Sequence, residues 1–465
     1  MKHKYLLTLV TVPLLASLSC FRTNQKTFET SAYDKSSLPT TINLNDYSDE
    51  DIRSYYSILN TLSSEERTGE NLLKNLKPIL SNNQKYYSYD VSNGKDIWKM
   101  YEITDRDWKK SPASEISGYD ASTNTITGYK YGESYSKPGT NPYLHALYVN
   151  RGVTNEMRAW QYNGGNENNH GGNKEWYIDR EHIWPKSHGF EDDESNVDEA
   201  TSGARGDPMH LWAGDSYVNS DLHNNYYYGY VDTSRKFKDG KDTYSYASGN
   251  LMGYSKTLGG DKYVFEPQDS DKGDIARAVF YMVARYNNIA GDDTIENDNP
   301  NLELVNDLNE WKKEGYISTS TTTGKLGILQ DLLEWNKDDK VDQYELHRNN
   351  LLYGNFTNNR NPFIDFPEWA DMIWGADKNI KSANPETDEI ARAQDYVPKT
   401  SDDTGDGNWI PGVDNKFVII GAVVVGVVIL VVVVFVLANG SKKQKKTLKK
   451  TAKKVVKSST KSKKK

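Results

Sequence analysis

A run of 22 residues, Phe417 to Ala438, carries no charged side chain and is built mainly from Val and Ile. About 20 such residues span the hydrocarbon core of a bilayer, and helices of water-facing domains rarely run this long without a polar face. The run therefore divides the chain before any fold is considered. The stretch after it, Ser441 to Lys465, holds thirteen lysines and no acidic residue. A lysine run can bind nucleic acid, but directly beside an apolar span the positive-inside rule accounts for it. The tail is expected in the cytoplasm, against anionic lipid, and everything before Phe417 outside.

The first twenty residues point the same way. Lys2 and Lys4 precede an apolar stretch from Tyr5 to Ala16, and small residues lead to Cys20. This is the charge, apolar, small order of a secretory signal. Cys20 stands where a bacterial lipoprotein is cleaved and acylated, although Ser17 occupies the place where Leu is usual. Ordinary cleavage nearby and an uncleaved anchor are the alternatives. Cys20 is also the single cysteine of the chain, so the exported part has no internal disulfide and relies on its core. The formal charge is −8, but without the tail 44 basic residues face 65 acidic ones, a balance of −21. A chain this acidic that handles a polyanion needs a local basic patch or a bound cation.

The composition between these ends divides into a Ser-, Thr- and Asn-rich tether over 21–44, a folded region over 45–375 and a stalk over 376–416, followed by the span at 417–438 and the tail at 439–465. No internal repeat is present. Apolar residues at helical spacing predict helices over Glu70–Leu80, Asp274–Tyr286 and Leu326–Trp335. Weak alternation over Tyr148–Gln161 predicts a strand, and QYNGGNENNHGGNK, with His170, reads as a loop. Residues 318–324 form a linker-like loop. The mixture is α+β.

The chemistry concentrates in EWYIDREHIWPKSHGF, Glu175 to Phe190. Glu181 and His182 are neighbours, so on an extended segment their side chains point to opposite faces; Pro185 stops a helix from forming there. The stretch Ala204 to Gly229 then supplies Asp207, His210, Asn219, His223, Asn224 and Asn225, with a helix opening between Asp215 and Asn219. Carboxylate and amide oxygens are hard ligands suited to Mg²⁺. The set has no thiolate and no HxxxH pair, which argues against zinc.

Four motifs, DREHIWPKS, RGDPMHL followed by VNS, GDIARAVFYMVARY and ELHRNNLLYGNFTNNRNPFIDFPEWADMIWG, resemble in order and spacing the endonuclease I family of bacterial nucleases. The resemblance runs from about Tyr177 to Gly375, with a weaker part from Gly69. It implies one nuclease domain around a ββα-metal (His-Me finger) core, with His182 as general base and Glu181 and Asn219 holding one divalent cation, Mg²⁺ or another hard ion such as Mn²⁺ or Ca²⁺. It implies hydrolysis of phosphodiester bonds in DNA or RNA, the preference between them left open, and 5′-phosphate ends; contacts to the backbone in place of base edges give low sequence specificity. Asn224 competes with Asn219, which would then be a helix cap. His210 reads as a support of the site, Arg180 and Arg205 as phosphate contacts or partners in ordinary salt bridges, and Asp207 and His223 as structural. The NRNPF segment with Asn359, Arg360 and Asn361 reads as a brace. Tyr226, Tyr227 and Tyr228 suit a strand better than a base-stacking platform.

Three positions depart from the family pattern: Leu222 where Arg is usual, Met209 at the first His of its D-L-H motif, and Phe366 in place of His. The phosphate contact that Leu222 lacks falls to a distant Arg or, as the alternative to its structural role, to His223. Two rival readings remain, a nucleic-acid-capturing surface receptor with weak turnover and an adhesin on a nuclease scaffold. No protein partner is inferred.

The topology has a direct check. Trypsin added to intact cells is expected to remove the region before Phe417 and to spare the lysine tail. An antibody against the tail that bound unpermeabilised cells would reverse the orientation.

Overall fold

The fold is organised around a helix that solvent does not reach. In the computed structural model, all fifteen residues of Lys272–Tyr286 are buried. The model describes residues 37–82, 84–85, 87, 96–131, 142–149, 178–190, 203–235, 244–246, 249–289, 301–307 and 324–392. The signal segment with Cys20, the loop with His170, the linker-like loop except Gly324, the apolar run 417–438 and the lysine tail lie outside these residues. Among the described residues no helix is long and apolar enough to cross a membrane.

In chain order the strands are β1 (Thr41–Asn43), β2 (Tyr119–Asp120), β3 (Thr125–Thr127), β4 (Ile178–His182), β5 (Leu211–Asp215), β6 (Tyr244–Tyr246), β7 (Asn250–Tyr254), β8 (Tyr263–Glu266), β9 (Glu303–Leu304) and β10 (Lys325–Leu326). The α-helices are α1 (Asp49–Tyr55), α2 (Gly69–Ser81), α3 (Asp96–Thr104), α4 (Lys272–Tyr286), α5 (Leu329–Asp338), α6 (Gln343–Leu351), α7 (Pro362–Asp365) and α8 (Trp369–Ile373). The strands form small separate sheets, ordered β1-β3-β2, β4-β5, β6-β7-β8 and β10-β9, and the helices supply more of the core than the strands do. The class is α+β.

Local sequence explains the helix ends. Ser48 and Asp51 form a reciprocal capping box on α1, Asp342 accepts from the Glu345 amide at 2.8 Å to open α6, and Asn361 caps α7 ahead of Pro362. Each satisfies amides that the first turn leaves unpaired. Helix α2 buries Leu72, Leu73, Leu76 and Leu80 and packs on α4.

Helix α4 looks amphipathic in sequence, yet its polar face is enclosed as well. Arg277 makes two bonds through Nε to Glu345 of α6, at 2.7 and 2.9 Å, and donates to the Asp339 carbonyl at 2.7 Å. Its guanidinium also lies 3.2 Å from Asp274. Burial, reinforced by the Glu345 charge, holds the Asp274 carboxyl well above the usual carboxylate range. The charges on α4 are therefore partners for α6 and the turn after α5, where a polar face would ordinarily meet water.

Three expected boundaries move. The folded region starts before residue 45: β1 lies inside the proposed tether, pairs with β3, and buries Ile42 and Leu44. Part of the proposed stalk packs on the domain: Ala383 and Ile390 are buried, and Asp388 accepts from the Trp369 indole at 2.7 Å. A segment without periodicity is held by two apolar anchors and by bonds to its backbone, which pattern reading does not register. Helix α5 begins at Leu329 instead of Leu326, because Lys325 and Leu326 pair in parallel with Glu303 and Leu304. Of the strand expected over Tyr148–Gln161, only Tyr148 and Val149 are described; next to them Leu147 bridges to Gly214 of β5.

The buried cluster on α4 sets a stability contrast. Arg277→Met is expected to cost about 3–5 kcal/mol in urea denaturation, since it leaves buried carboxylates without their cation. Arg392→Ala, which breaks an exposed pair with Asp49, is expected to cost less than about 1 kcal/mol. Equal losses would remove the distinction.

Candidate active site

Strands β4 and β5 form an antiparallel pair, with Glu181 opposite Trp212 and His182 opposite Leu211. A helix follows at once. Ser216 and Tyr217 start it, and Val218–His223 continue as a π-helix. Asp215 sets its start by accepting from the Val218 amide at 3.0 Å, which places Asn219 on the first turns, where the sequence put it. The order is strand, strand, helix.

Alternation along β4 sorts its side chains. Asp179 and Glu181 share one face, and both reach the helix. Asp179 accepts from Ser216 Oγ at 2.6 Å, and Glu181 Oε1 lies 2.7 Å from His223 Nδ1. Arg180 and His182 share the other face: Arg180 lies over the Trp98 ring of α3 at 5.3 Å, and His182 faces His210, with ring centroids 5.4 Å apart.

Glu181 is 1% exposed. Its Oε1 accepts twice, from the Tyr148 hydroxyl at 2.7 Å and from His223. Its Oε2 is buried and has no hydrogen-bond partner among the described residues. A buried carboxylate oxygen left unpaired is costly, and the oxygen suits a hard cation. Asn219 is half-buried on the same helix as His223, and residues four apart on a π-turn lie nearly above one another. Among the described residues no group of three or more His, Cys, Asp or Glu is arranged around one point. A cation here would take few protein oxygens and keep several waters, which is how Mg²⁺ is usually held.

On the opposite face, His182 Nε2 lies 3.0 Å from the Arg205 carbonyl. A carbonyl only accepts, so Nε2 carries the hydrogen and the lone pair of the neutral ring is on Nδ1. Burial first, then the charges of His210 and Lys186, hold the ring well below the usual imidazole value. The ring is therefore neutral at neutral pH and able to take a proton. His210 is fixed in the same way by the Ala204 carbonyl at 2.7 Å. One short turn, Gly203–Gly206, thus orients both imidazoles through consecutive carbonyls.

The remaining expectations sort by burial. Asp207 is a structural node, with Oδ2 accepting from Tyr281 and Tyr286 at 2.9 Å and from Gln84 at 3.1 Å. Arg360 is fully enclosed and bonded to Asp365 at 2.6 and 2.9 Å, and Asn361 donates to the Arg277 carbonyl at 3.0 Å, so the NRNPF segment is a brace. Tyr227 and Tyr228 are buried. Arg205 contributes the carbonyl named above, and Asn224 is exposed at the end of the π-helix with φ 47°.

Of the two readings of His223, the buried position favours the structural one. The residue is 0% exposed, stacks on Tyr228 at 4.6 Å and bonds to Glu181, so it does not offer itself to a phosphate in place of the Arg absent at Leu222. Leu222, Met209 and Phe366 are core residues, 3%, 3% and 0% exposed; Phe366 stacks on Trp369 at 4.3 Å.

Pattern reading missed Tyr148 and Gly214. Tyr148 has φ 75°, a left-handed conformation that costs a bulky residue about 1–3 kcal/mol and persists only where its surroundings impose it. Asp271 accepts from its amide at 2.5 Å and Asn250 donates to its carbonyl at 2.7 Å. Gly214 is the gap that lets Glu181 and Tyr148 meet: a Cβ there would sit 2.8 Å from Glu181 Cβ. A glycine inside a strand is the signal that was available, since it marks close approach.

A family model described as Endonuclease I matches residues 68–368. The chain is 41% identical over 222 residues to the extracellular ribonuclease of Bacillus subtilis (strain 168), a stretch covering 48% of this chain and 59% of that protein. It is 39% identical over 221 residues to the extracellular ribonuclease of Bacillus amyloliquefaciens, with the same shares. The chain thus spans about three-fifths of the length of the curated relatives it matches. No solved structure matches it.

The buried imidazoles make the folded state sensitive to acid. Burial pushes His188 and His210 down to about 4 from an ordinary value of 6.5. Between these values the unfolded chain takes up protons that the folded chain refuses. The contribution to stability is complete above 6.5 and is lost as the pH falls toward 4, by roughly 3 kcal/mol for each ring. His188→Gln, which keeps a donor for the Asn225 carbonyl, is expected to lose less stability than wild type between pH 7 and pH 4.5 in urea denaturation. Parallel losses would show that His188 does not contribute.

Proposed function

Because the chain belongs to the endonuclease I family, as the match over residues 68–368 establishes, we propose that it is a nuclease that hydrolyses phosphodiester bonds of DNA and RNA with a divalent cation. The observation that carries the reading is the buried Glu181 carboxylate. One of its oxygens is doubly hydrogen-bonded and the other has no partner, and a neutral His182 adjoins it in sequence. The strand, strand, helix order of β4, β5 and the π-helix supports a ββα-metal core. That both relatives are ribonucleases supports RNA as a substrate beside DNA.

In this reading Glu181 and Asn219 hold the cation, Mg²⁺ or another hard ion such as Mn²⁺ or Ca²⁺. When bound, it supplies Lewis-acid neutralisation of the charge that builds on the phosphate. His182 takes a proton through Nδ1 from the attacking water, the kind of help that is typically worth about 10²–10⁴-fold. Its hydrogen bond to the Arg205 carbonyl sets the ring orientation, and the ββα family pattern implies 5′-phosphate products. Recognition through the backbone gives little sequence preference. Arg180 and Arg205 are the proposed phosphate contacts. The three departures lie in the core and leave Glu181, His182 and Asn219 in place, so turnover is proposed over capture by a receptor or adhesin. The nuclease is held at the outer face of the cell membrane by 417–438, with the lysine tail inside and Cys20 as a possible lipid site.

The reading is tested by digestion of plasmid, single-stranded DNA and RNA. Activity is expected with Mg²⁺ and none in EDTA; undiminished cleavage in chelator would remove the metal. His182→Ala is expected to lower turnover by about 10²–10⁴-fold at any cation concentration. Glu181→Ala is expected to be partly rescued by excess Mg²⁺, because mass action offsets a lost ligand and cannot replace a base. Rescue of the first variant alone would exchange the two roles.

A further inference from the structure

We propose that Tyr148 and His223 are positioning residues that clamp one oxygen of Glu181, so that only the other is presented to the cation. The inference rests on the reading that Glu181 binds the metal, and goes beyond it by assigning what aims the ligand.

Both donors converge on Oε1. The Tyr148 hydroxyl and His223 Nδ1 each lie 2.7 Å from it, and both side chains are fully enclosed. A carboxylate with two donors on one oxygen cannot rotate about its last bond without breaking both. Oε2, buried and without a partner among the described residues, is then held in one direction. The two donors reach Glu181 from separate parts of the chain, and each is itself held. Tyr148 is fixed through its backbone by Asp271 and Asn250, in a left-handed conformation that an aromatic residue adopts only under constraint. His223 is fixed by stacking on Tyr228 at 4.6 Å and by Phe265 at 5.0 Å.

The two clamp residues also connect the metal ligands to one another. His223 closes the helix that carries Asn219, so its bond to Glu181 ties that helix to β4 at the level of the ligand. Asp179 makes a second tie at the start of the helix through Ser216. Removing the His223 donor frees the carboxylate and loosens the helix that presents Asn219. Partners that orient a metal ligand in this way are typically worth about 10–100-fold in metal affinity.

The test is Mn²⁺ binding by the full-length protein in detergent, read from the electron paramagnetic resonance signal of free Mn²⁺, with thermal melting as the check on folding. Tyr148→Phe removes one hydroxyl, and His223→Leu removes the ring donor while keeping bulk. Each is expected to weaken Mn²⁺ binding about tenfold. His223→Asn, whose amide nitrogen can stand where Nδ1 stands, is expected to bind close to wild type. Unchanged affinity in Tyr148→Phe and His223→Leu, together with loss in Glu181→Gln, overturns the clamp and leaves the metal site standing. Unchanged affinity in Glu181→Gln overturns the metal reading itself. Weakening in His223→Asn equal to that in His223→Leu shows that the ring acts by shape and removes His223 from the proposal. If His223→Leu does not fold, Tyr148→Phe decides the matter alone.

Discussion

The constraint on which the site depends is the enclosure of a carboxylate. Taking Glu181 out of water is unfavourable by several kcal/mol unless its oxygens find donors or a cation. The surrounding structure is arranged to meet that demand. Tyr148 and His223 satisfy Oε1, Gly214 clears the space in which Tyr148 and Glu181 approach, and Asp271 and Asn250 hold the strained backbone of Tyr148. These residues come from a loop before β4, from β5, from β7, from the turn before α4 and from the π-helix. A single buried charge thus recruits five parts of the fold.

The opposite face of the same strand follows a different logic. His182 is useful when neutral, and enclosure favours that form. Its tautomer is set by the Arg205 carbonyl, in a turn whose preceding carbonyl orients His210. Behind the turn, Asp207 gathers Tyr281 and Tyr286 from α4, and Arg348 of α6 donates to the carbonyls of Pro208 and Leu211 at 3.0 and 2.8 Å. The β4-β5 pair is therefore braced on the central helix. Strain at α4 would be felt at the imidazoles, because interiors packed to crystal density transmit displacement.

The departures from the family pattern have a packing explanation. Met209, Leu222 and Phe366 stand where polar residues are usual, and each is buried in the hydrophobic core. Phe366 completes an aromatic stack with Trp369, next to Tyr56. An apolar side chain in such a place removes a polar group that would have needed a partner. Leu222 precedes His223, so the loss of one charge coincides with a ring that serves the carboxylate.

Local pattern determined a good deal. The helices α2 and α4 follow from apolar spacing, the helix after β5 from its Asp, and the opposed faces of Glu181 and His182 from the period of a strand. The structural part of Asp207 and the bracing part of Arg360 and Asn361 were also legible, because polar residues set among apolar ones in a folded region are usually paired. The sequence could not show that α4 would be enclosed on every side, since a helix's polar face is assumed to meet water until another element covers it. Nor could it show that residues 377–392 would pack on the domain, or that the partner of His223 would be Glu181. The Tyr148 and His223 bonds to Glu181 join residues 33 and 42 positions apart. No local pattern encodes such contacts; they exist only once the chain has closed on itself. The sequence thus determined which groups are present and which way a strand or helix presents them. Only the tertiary structure decided which of them meet, because burial and partnership depend on neighbours distant in the chain.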